Sequence, residues 1–295
     1  MSDPGPLLIA VSAATPSAVA LAAVGAALAT TGVALLPLAR HIGDRVVPER
    51  RVFFARWGGR HLVQVLLAAL FGALLVRPGA SLIFDEAPGL AATLALLAVS
   101  MLPPSIVVWL SARRTEPNAI FSLGLQGDRS LAAVLYGLGL YVMFFPALLG
   151  AALLWQWLYA KLGGEPQAQE LLLGFKDMSG GSLALACLFA TLVVPFFEEL
   201  LFRGFLQPFL VQNFHDRGGV ILTSLIFAVL HGGSAFGPIF VLSLLLGAIA
   251  LRTRRLWASW AVHALHNGVT IVIFLIEPEL AEPVGGLLGL LGIAS

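Results

Sequence analysis

Charge is what this sequence has least of. Its 295 residues include 17 Lys or Arg and 16 Asp or Glu, 11% in all, where a soluble domain carries about 25%. That scarcity excludes a soluble globular enzyme, a disordered chain and a nucleic-acid binder working through a basic surface, so no nucleic-acid partner is expected. Cysteine is nearly absent: Cys187 stands alone, which excludes an intramolecular disulfide framework and a multi-cysteine metal site. No Lys or Arg precedes Arg40. The positively charged start of a cleaved signal is therefore missing, and the first apolar run is expected to be a retained helix.

Apolar side chains fill the gap. They make up 59% of the chain, and the mean hydropathy is +0.93. Backbone polar groups must be satisfied internally in lipid, so the expected fold is an all-α polytopic transmembrane helix bundle whose surroundings are the lipid bilayer. Long apolar stretches give about eight spans, at roughly 17–39, 61–76, 89–111, 131–159, 182–212, 218–236, 238–251 and 256–276. The second and seventh are short for a bilayer of about 30 Å. The fifth contains Glu198, Glu199 and Arg203 and is read as one long helix whose second half is amphipathic or internal. Pro103-Pro104 and Pro146 are expected to kink their spans. Trp57, Trp155, Trp157 and Tyr159 read as an interfacial aromatic belt.

With eight spans the cations segregate. Arg40, Arg45, Arg50, Arg51, Arg56, Arg60, Arg113, Arg114, Arg129, Arg203, Arg217, Arg252, Arg254 and Arg255 fall on one side, and only Arg77, Lys161 and Lys176 on the other. The positive-inside rule makes the rich side cytoplasmic. Both termini and the acidic tail (Glu277, Glu279, Glu282) then lie outside, and the residues after Gly285 form a short tail.

Ionisable residues inside a membrane are costly and mark function by default. Here they cluster in the last third of the chain. Glu199 and Arg203 are four apart and share a helix face, so Arg203 neutralises one carboxylate. Glu198 points about 100° away and lacks that partner. Phe227 and His231 share a face, as do His263 and Asn267. A carboxylate without a cation in an apolar site suits a general base. A histidine beside it shares the attacking water and later protonates a leaving amine. Imidazole and carboxamide N–H groups on one face donate to a developing oxyanion. These are the parts for amide hydrolysis without a covalent nucleophile. His266, one residue off the pattern, reads as a packing or supporting residue, and Cys187 as a small core residue.

Glu198-Glu199-x-x-x-Arg203, Phe227-x-x-x-His231 and His263-x-x-x-Asn267, in that order on successive helices, resemble the CPBP family of type II CAAX prenyl endopeptidases and bacteriocin-processing or immunity (Abi) proteins. The resemblance spans about 125–276. It implies an eight-helix intramembrane endopeptidase of the cell membrane with a conical catalytic cavity facing the cytoplasmic half. It implies Glu198 and His231 as general base and water ligand, His263 and Asn267 as oxyanion donors, and Glu199 with Arg203 in support. The implied partner is a membrane-associated protein or peptide substrate, prenylated at a C-terminal CAAX sequence in some members. The chain then divides into N-terminal helices with a basic loop (1–124), a protease core (125–276) and a short tail (277–295). No cofactor is favoured. A zinc version would use Glu198, His231 and His263, since two histidines and a glutamate form a known catalytic zinc set, although no H-E-x-x-H helix is present. A non-proteolytic immunity or scaffold protein on the same bundle is the alternative, and the intact glutamate base argues against it. A proton-relay transporter is a third class, but no internal repeat accompanies these residues.

Overall fold

The computed structural model describes residues 18–46, 56–84, 88–164, 174–175 and 178–276. Expectations placed on Arg50, Arg51, Lys176 and the segment 277–295 lie outside the described residues. Helices α1 (Ala18–Val46), α2 (Gly59–Ile83), α3 (Leu90–Ser100), α4 (Leu102–Thr115), the single turn α5 (Ala119–Ser122) and α6 (Ser130–Lys161) form the first half. Then come α7 (Gly180–Leu188), α8 (Val194–Glu199), α9 (Gln207–Leu230), α10 (Phe236–Thr253) and α11 (Leu256–Ile276). The described residues contain no strand. Among the described residues, seven stretches are long and apolar enough to cross a membrane, so this is an integral membrane protein built as an all-α bundle.

One of those stretches, Gly180–Leu230, is 51 residues long. At about 1.5 Å per residue it would reach ~76 Å, far beyond a bilayer of about 30 Å. It is two arms. Phe214 (φ −128°, ψ 16°) and His215 (φ 59°, ψ 174°) leave the helical region, and the chain doubles back. Gly219 on the returning arm lies against Val211 on the first, where a Cβ would fall 2.5 Å from the Val211 amide nitrogen. Only glycine lets the arms meet so closely. Counting both arms gives the eight helices that the apolar runs predict.

Two wide turns interrupt the first arm. Residues Phe189–Val193 and Leu200–Leu206 are π-helical, so α7, α8 and the start of α9 are one continuous rod with an expanded turn on each side of Glu198-Glu199. Both expansions end just before a proline. The Val194 amide bonds the Phe189 carbonyl and the Gln207 amide bonds the Phe202 carbonyl, each five residues back; Pro195 and Pro208 follow. Proline has no N–H and crowds the carbonyl four residues earlier, and a π-turn relieves that crowding.

Several expectations need correction. Span two runs to Ile83 rather than stopping short, with Pro78 inside it. Pro103 and Pro104 do not kink a helix interior; the chain breaks at Met101, and both prolines open the first turn of α4, where a missing N–H costs little. Span six ends at Leu230, so His231 caps it instead of lying in its middle, and the chain turns through residues 231–235 into α10. Trp57 is not an interfacial residue. It is 1% exposed, stacks on Phe205 at 5.4 Å between ring centroids and donates to the Phe205 carbonyl at 3.1 Å.

The arginines do gather at one end of the bundle. Arg252 pairs with Asp44 at 2.7 Å and Arg255 with Asp128 at 2.9 Å, tying α10 and the α10–α11 turn to α1 and to the start of α6. At the other end, Trp155 donates to the Gly233 carbonyl at 2.9 Å. Between the two ends, Tyr141 and Leu148 of α6, Leu242, Leu246 and Ile249 of α10 and Val262 of α11 form a packed core. In lipid, such close packing and interhelical hydrogen bonds hold helices together.

Candidate active site

Three helices converge at Glu198. The rod carries Glu198, Glu199 and Arg203; the end of α9 carries His231; α11 carries His263 and Asn267. On α11, a helix of 21 residues and so ~31 Å long, His263 and Asn267 lie about 10 and 16 Å from the arginine-rich end. His263 and Asn267 therefore sit within the span, and His231 reaches Glu198 from the end of α9.

Its inner half is sealed. Glu199 and Arg203 form an i,i+4 ion pair at 3.0 Å with both side chains fully buried. Arg203 Nη2 also donates to Ser243 Oγ at 2.7 Å, and its guanidinium lies 4.6 Å from the centre of the Phe227 ring. A buried ion pair survives only when further partners compensate for its desolvation, and here α10 and α9 supply them. Glu199 in turn contacts His263 Nδ1 at 3.0 Å.

The outer half is open. The side chains of Glu198 and His231 are 14% and 29% exposed. His231 Nε2 lies 3.9 Å from Glu198 Oε1, and His263 Nε2 lies 3.6 Å from Glu198 Oε2. Both gaps are too long for a direct hydrogen bond, and a gap of this size accommodates a bridging water. Hydrogen bonds on the far nitrogens set the tautomers. His231 Nδ1 lies 2.7 Å from the Phe227 carbonyl, which accepts only, so Nδ1 carries the proton and Nε2 presents a lone pair towards Glu198. His263 Nδ1 faces the Glu199 carboxylate and carries its proton, so its Nε2 donates only from the imidazolium.

Asn267 differs from the rest. Its Nδ2 donates to the Ala190 carbonyl at 2.9 Å. In the five-residue register of the first π-turn, that carbonyl would face the nitrogen of Pro195, which has no proton to give. Asn267 fills the place. Trp260, about two turns of α11 earlier, donates to the Leu192 carbonyl at 2.9 Å. The oxyanion expectation for Asn267 thus meets an amide already engaged with the backbone of the rod.

Sequence reasoning missed several contributors. Ser243 was one hydroxyl in an apolar run; a serine 0% exposed in a membrane helix implies a buried polar partner. Phe227 is more than a face-mate of His231. Its ring touches Phe202 (4.8 Å), His231 (4.4 Å) and His263 (5.9 Å) and spaces the two histidines. His266 points elsewhere, its Nδ1 3.2 Å from the Tyr141 hydroxyl. Cys187 is half-buried and accepts from Thr191 Oγ1 through its carbonyl.

The donor set for a cation would be Glu198, His231 and His263. Tetrahedral zinc at about 2.0–2.1 Å from N and O donors sets those donors ~3.4 Å apart, shorter than the 3.6 and 3.9 Å seen. Among the described residues, no group of three His, Cys, Asp or Glu side chains is assembled as a metal site.

Residues 180–269 match the family model of type II CAAX prenyl endopeptidase, Rce1-like. No curated protein matches the chain, and no solved structure does. The matched segment runs from the start of α7 to just beyond Asn267 and holds every residue of the cluster.

Proposed function

We propose, from the match of residues 180–269 to the type II CAAX prenyl endopeptidase, Rce1-like, family model, that this membrane protein is an intramembrane endopeptidase hydrolysing a peptide bond of a membrane-associated substrate. The observation that carries the reading is the placement of Glu198. Among the described residues it has no Arg or Lys ion-paired to it, and it lies 3.9 Å from one imidazole and 3.6 Å from another, while its neighbour Glu199 is neutralised by Arg203.

A water between Glu198 Oε1 and His231 Nε2 donates one proton to each acceptor, leaving its oxygen lone pairs directed outward. Attack on the scissile carbonyl forms the new C–O bond and transfers a proton to Glu198. The carbonyl oxygen becomes an oxyanion, which His263 Nε2–H stabilises from its imidazolium form. The C–N bond then breaks, and the proton held by Glu198 passes through His231 to the leaving amine. Arg203 and Glu199 fix His263. Asn267 joins as a second oxyanion donor only if its amide leaves the Ala190 carbonyl.

The protease core occupies 125–276 in this reading. The arginine-rich end faces the cytoplasm, and the plasma membrane is the setting. His263, about 10 Å from that end, is then in the cytoplasmic half of the bilayer. A prenylated C-terminal peptide is the first substrate to test. Purified protein would be given a quenched peptide with and without a prenyl group, beside Glu198→Ala and beside a strong chelator. Cleavage lost in the variant and kept in chelator is the expected result. Loss in chelator with recovery in zinc would replace the mechanism by one in which Glu198, His231 and His263 hold the metal; the Phe227 and Glu199 oxygens already orient both rings for that.

A further inference from the structure

The turn that begins at His231 continues through Gly232 and Gly233, which have no side chains with which to hold it. On the last turn of α9, Val229 is 61% and Leu230 70% exposed. Helix ends fray unless something outside them ties them down. The Phe227 carbonyl and ring orient the imidazole on its own helix, but both lie one turn back along α9. Beyond His231, a restraint comes from α6. Trp155 Nε1 donates to the Gly233 carbonyl at 2.9 Å. The Phe236 amide shares that carbonyl at 3.3 Å, so the indole makes the shorter contact. The Trp155 ring centre lies 5.1 Å from that of Phe236 and 6.2 Å from that of Tyr159. A Cβ on Gly237 would fall 2.4 Å from Trp155 Cγ, and one on Gly233 would fall 3.3 Å from the Tyr159 ring. The last two turns of α6 are therefore a platform on which residues 233–237 rest.

Trp155 and Tyr159 both lie outside the segment 180–269 that matches the family model, and an interfacial belt alone accounts for neither contact with the turn. Resting on the proteolytic reading above for its part in the reaction, we propose that Trp155 is a positioning residue for His231. Through the Gly233 carbonyl it holds the end of α9, so that His231 Nε2 stays across a water from Glu198. The gap there is 3.9 Å, and one water spans it only while both ends keep their places. A displacement of about 1 Å in a reacting geometry costs up to ~10²-fold in rate.

Trp155→Phe removes the indole N–H and keeps an aromatic ring against Phe236. The control is Tyr141→Phe on the same helix, which gives up the 3.2 Å contact with His266 and leaves the turn alone. The first readout needs no substrate. Full-length protein in micelles carries histidine isotopically labelled at its ring nitrogens, and NMR signals of His231 are assigned by their loss in His231→Gln. In wild type and in Tyr141→Phe the ring nitrogens should give the separate signals of one fixed tautomer, with the proton on Nδ1. In Trp155→Phe they should move towards each other, the mark of a ring exchanging tautomers. The second readout is cleavage. Trp155→Phe should lower kcat about tenfold with KM unchanged, the pattern of an interaction made in the transition state, while Tyr141→Phe should keep kcat. Should Trp155→Phe fail to fold, Tyr159→Leu removes the ring beneath Gly233 and carries the same expectations. Unchanged His231 signals in a folded variant would overturn the proposal, as would an unchanged kcat where the wild type cleaves. A fall in kcat shared equally by Tyr141→Phe would also overturn it, because lost stability would then explain both. A wild-type protein that cleaves no peptide, with His231 signals that move in Trp155→Phe, would sink the protease reading and leave the positioning of His231 standing.

Discussion

Replacing Arg203 by Met tests whether the buried ion pair is structural scaffolding for the site. Arg203 and Glu199 are both without solvent contact, so removing the cation leaves a carboxylate buried among Ser259, His263 and Phe227, all of them at most 3% exposed. Breaking a buried pair by deleting one partner costs about 3–5 kcal/mol, most of it the uncompensated charge. The Ser243 hydroxyl loses its 2.7 Å partner as well, a bond to a charged group worth ~1.5–3 kcal/mol that overlaps with the first figure rather than adding to it. The reasoning makes a sharper demand of the double variant. Glu199→Gln removes the stranded charge and keeps an oxygen for His263 Nδ1, so Arg203→Met with Glu199→Gln should recover most of the lost stability, about 2–4 kcal/mol. Reversible unfolding in mixed micelles reads both variants and the two singles as one cycle. A double variant as unstable as Arg203→Met alone would refute the argument, because the loss would then lie in packing and not in charge. Cleavage in the refolded double variant should remain measurable, since Glu198 and His231 are untouched.

Four further outcomes follow from distances at the site. Glu198→Gln keeps the shape and removes the base; cleavage should fall by about 10²–10⁴-fold with no change in unfolding midpoint, and a midpoint shift would make Glu198 a structural residue. Asn267→Ala strips the Ala190 carbonyl of its donor and should destabilise the protein by about 1–3 kcal/mol; a residue acting only on an oxyanion would leave stability alone. Ser243→Ala should cost about 1–3 kcal/mol, less than Arg203→Met, in the same micelle assay. Trp57→Phe preserves the stack on Phe205 and loses one hydrogen bond, for ~0.5–1.5 kcal/mol; no change would return Trp57 to the interfacial role that its place before α2 suggests.

The fold class was legible because lipid leaves so few options: runs of apolar residues separated by arginines could only be helices. The Glu199–Arg203 contact was legible for a different reason, since a spacing of four places two side chains on one face whatever surrounds them. Contacts between helices were less accessible. Nothing in the run around Ser243 names Arg203 as its partner, and Trp57 has the sequence position of an interfacial residue although its ring is packed against Phe205. His231 was placed mid-helix because the apolar run continues past it. The break comes from Gly232, whose φ of +88° lies where glycine is favoured, so the dipeptide Gly232-Gly233 was the signal to weigh.

The π-turns show most clearly how local chemistry prepares the site. Pro195 and Pro208 bracket the Glu-Glu-x-x-x-Arg segment, and each stands directly after a widened turn. A proline at either place in an ordinary α-helix would kink the rod. The expansion absorbs each proline by adding one residue to a turn, so the rod stays continuous while its side chains rotate in phase. The cost is a backbone carbonyl left without an amide, that of Ala190, and α11 answers it through Asn267, while Trp260 of the same helix donates to the Leu192 carbonyl. The helix that brings His263 to Glu198 is therefore also the helix that completes the backbone of the rod carrying Glu198. Loss of the Asn267 contact should loosen the approach of α11 and the His263–Glu198 distance together. This predicts that Asn267→Ala weakens cleavage partly through stability, and that a glutamine at 267, long enough to reach the same carbonyl, restores stability before it restores rate.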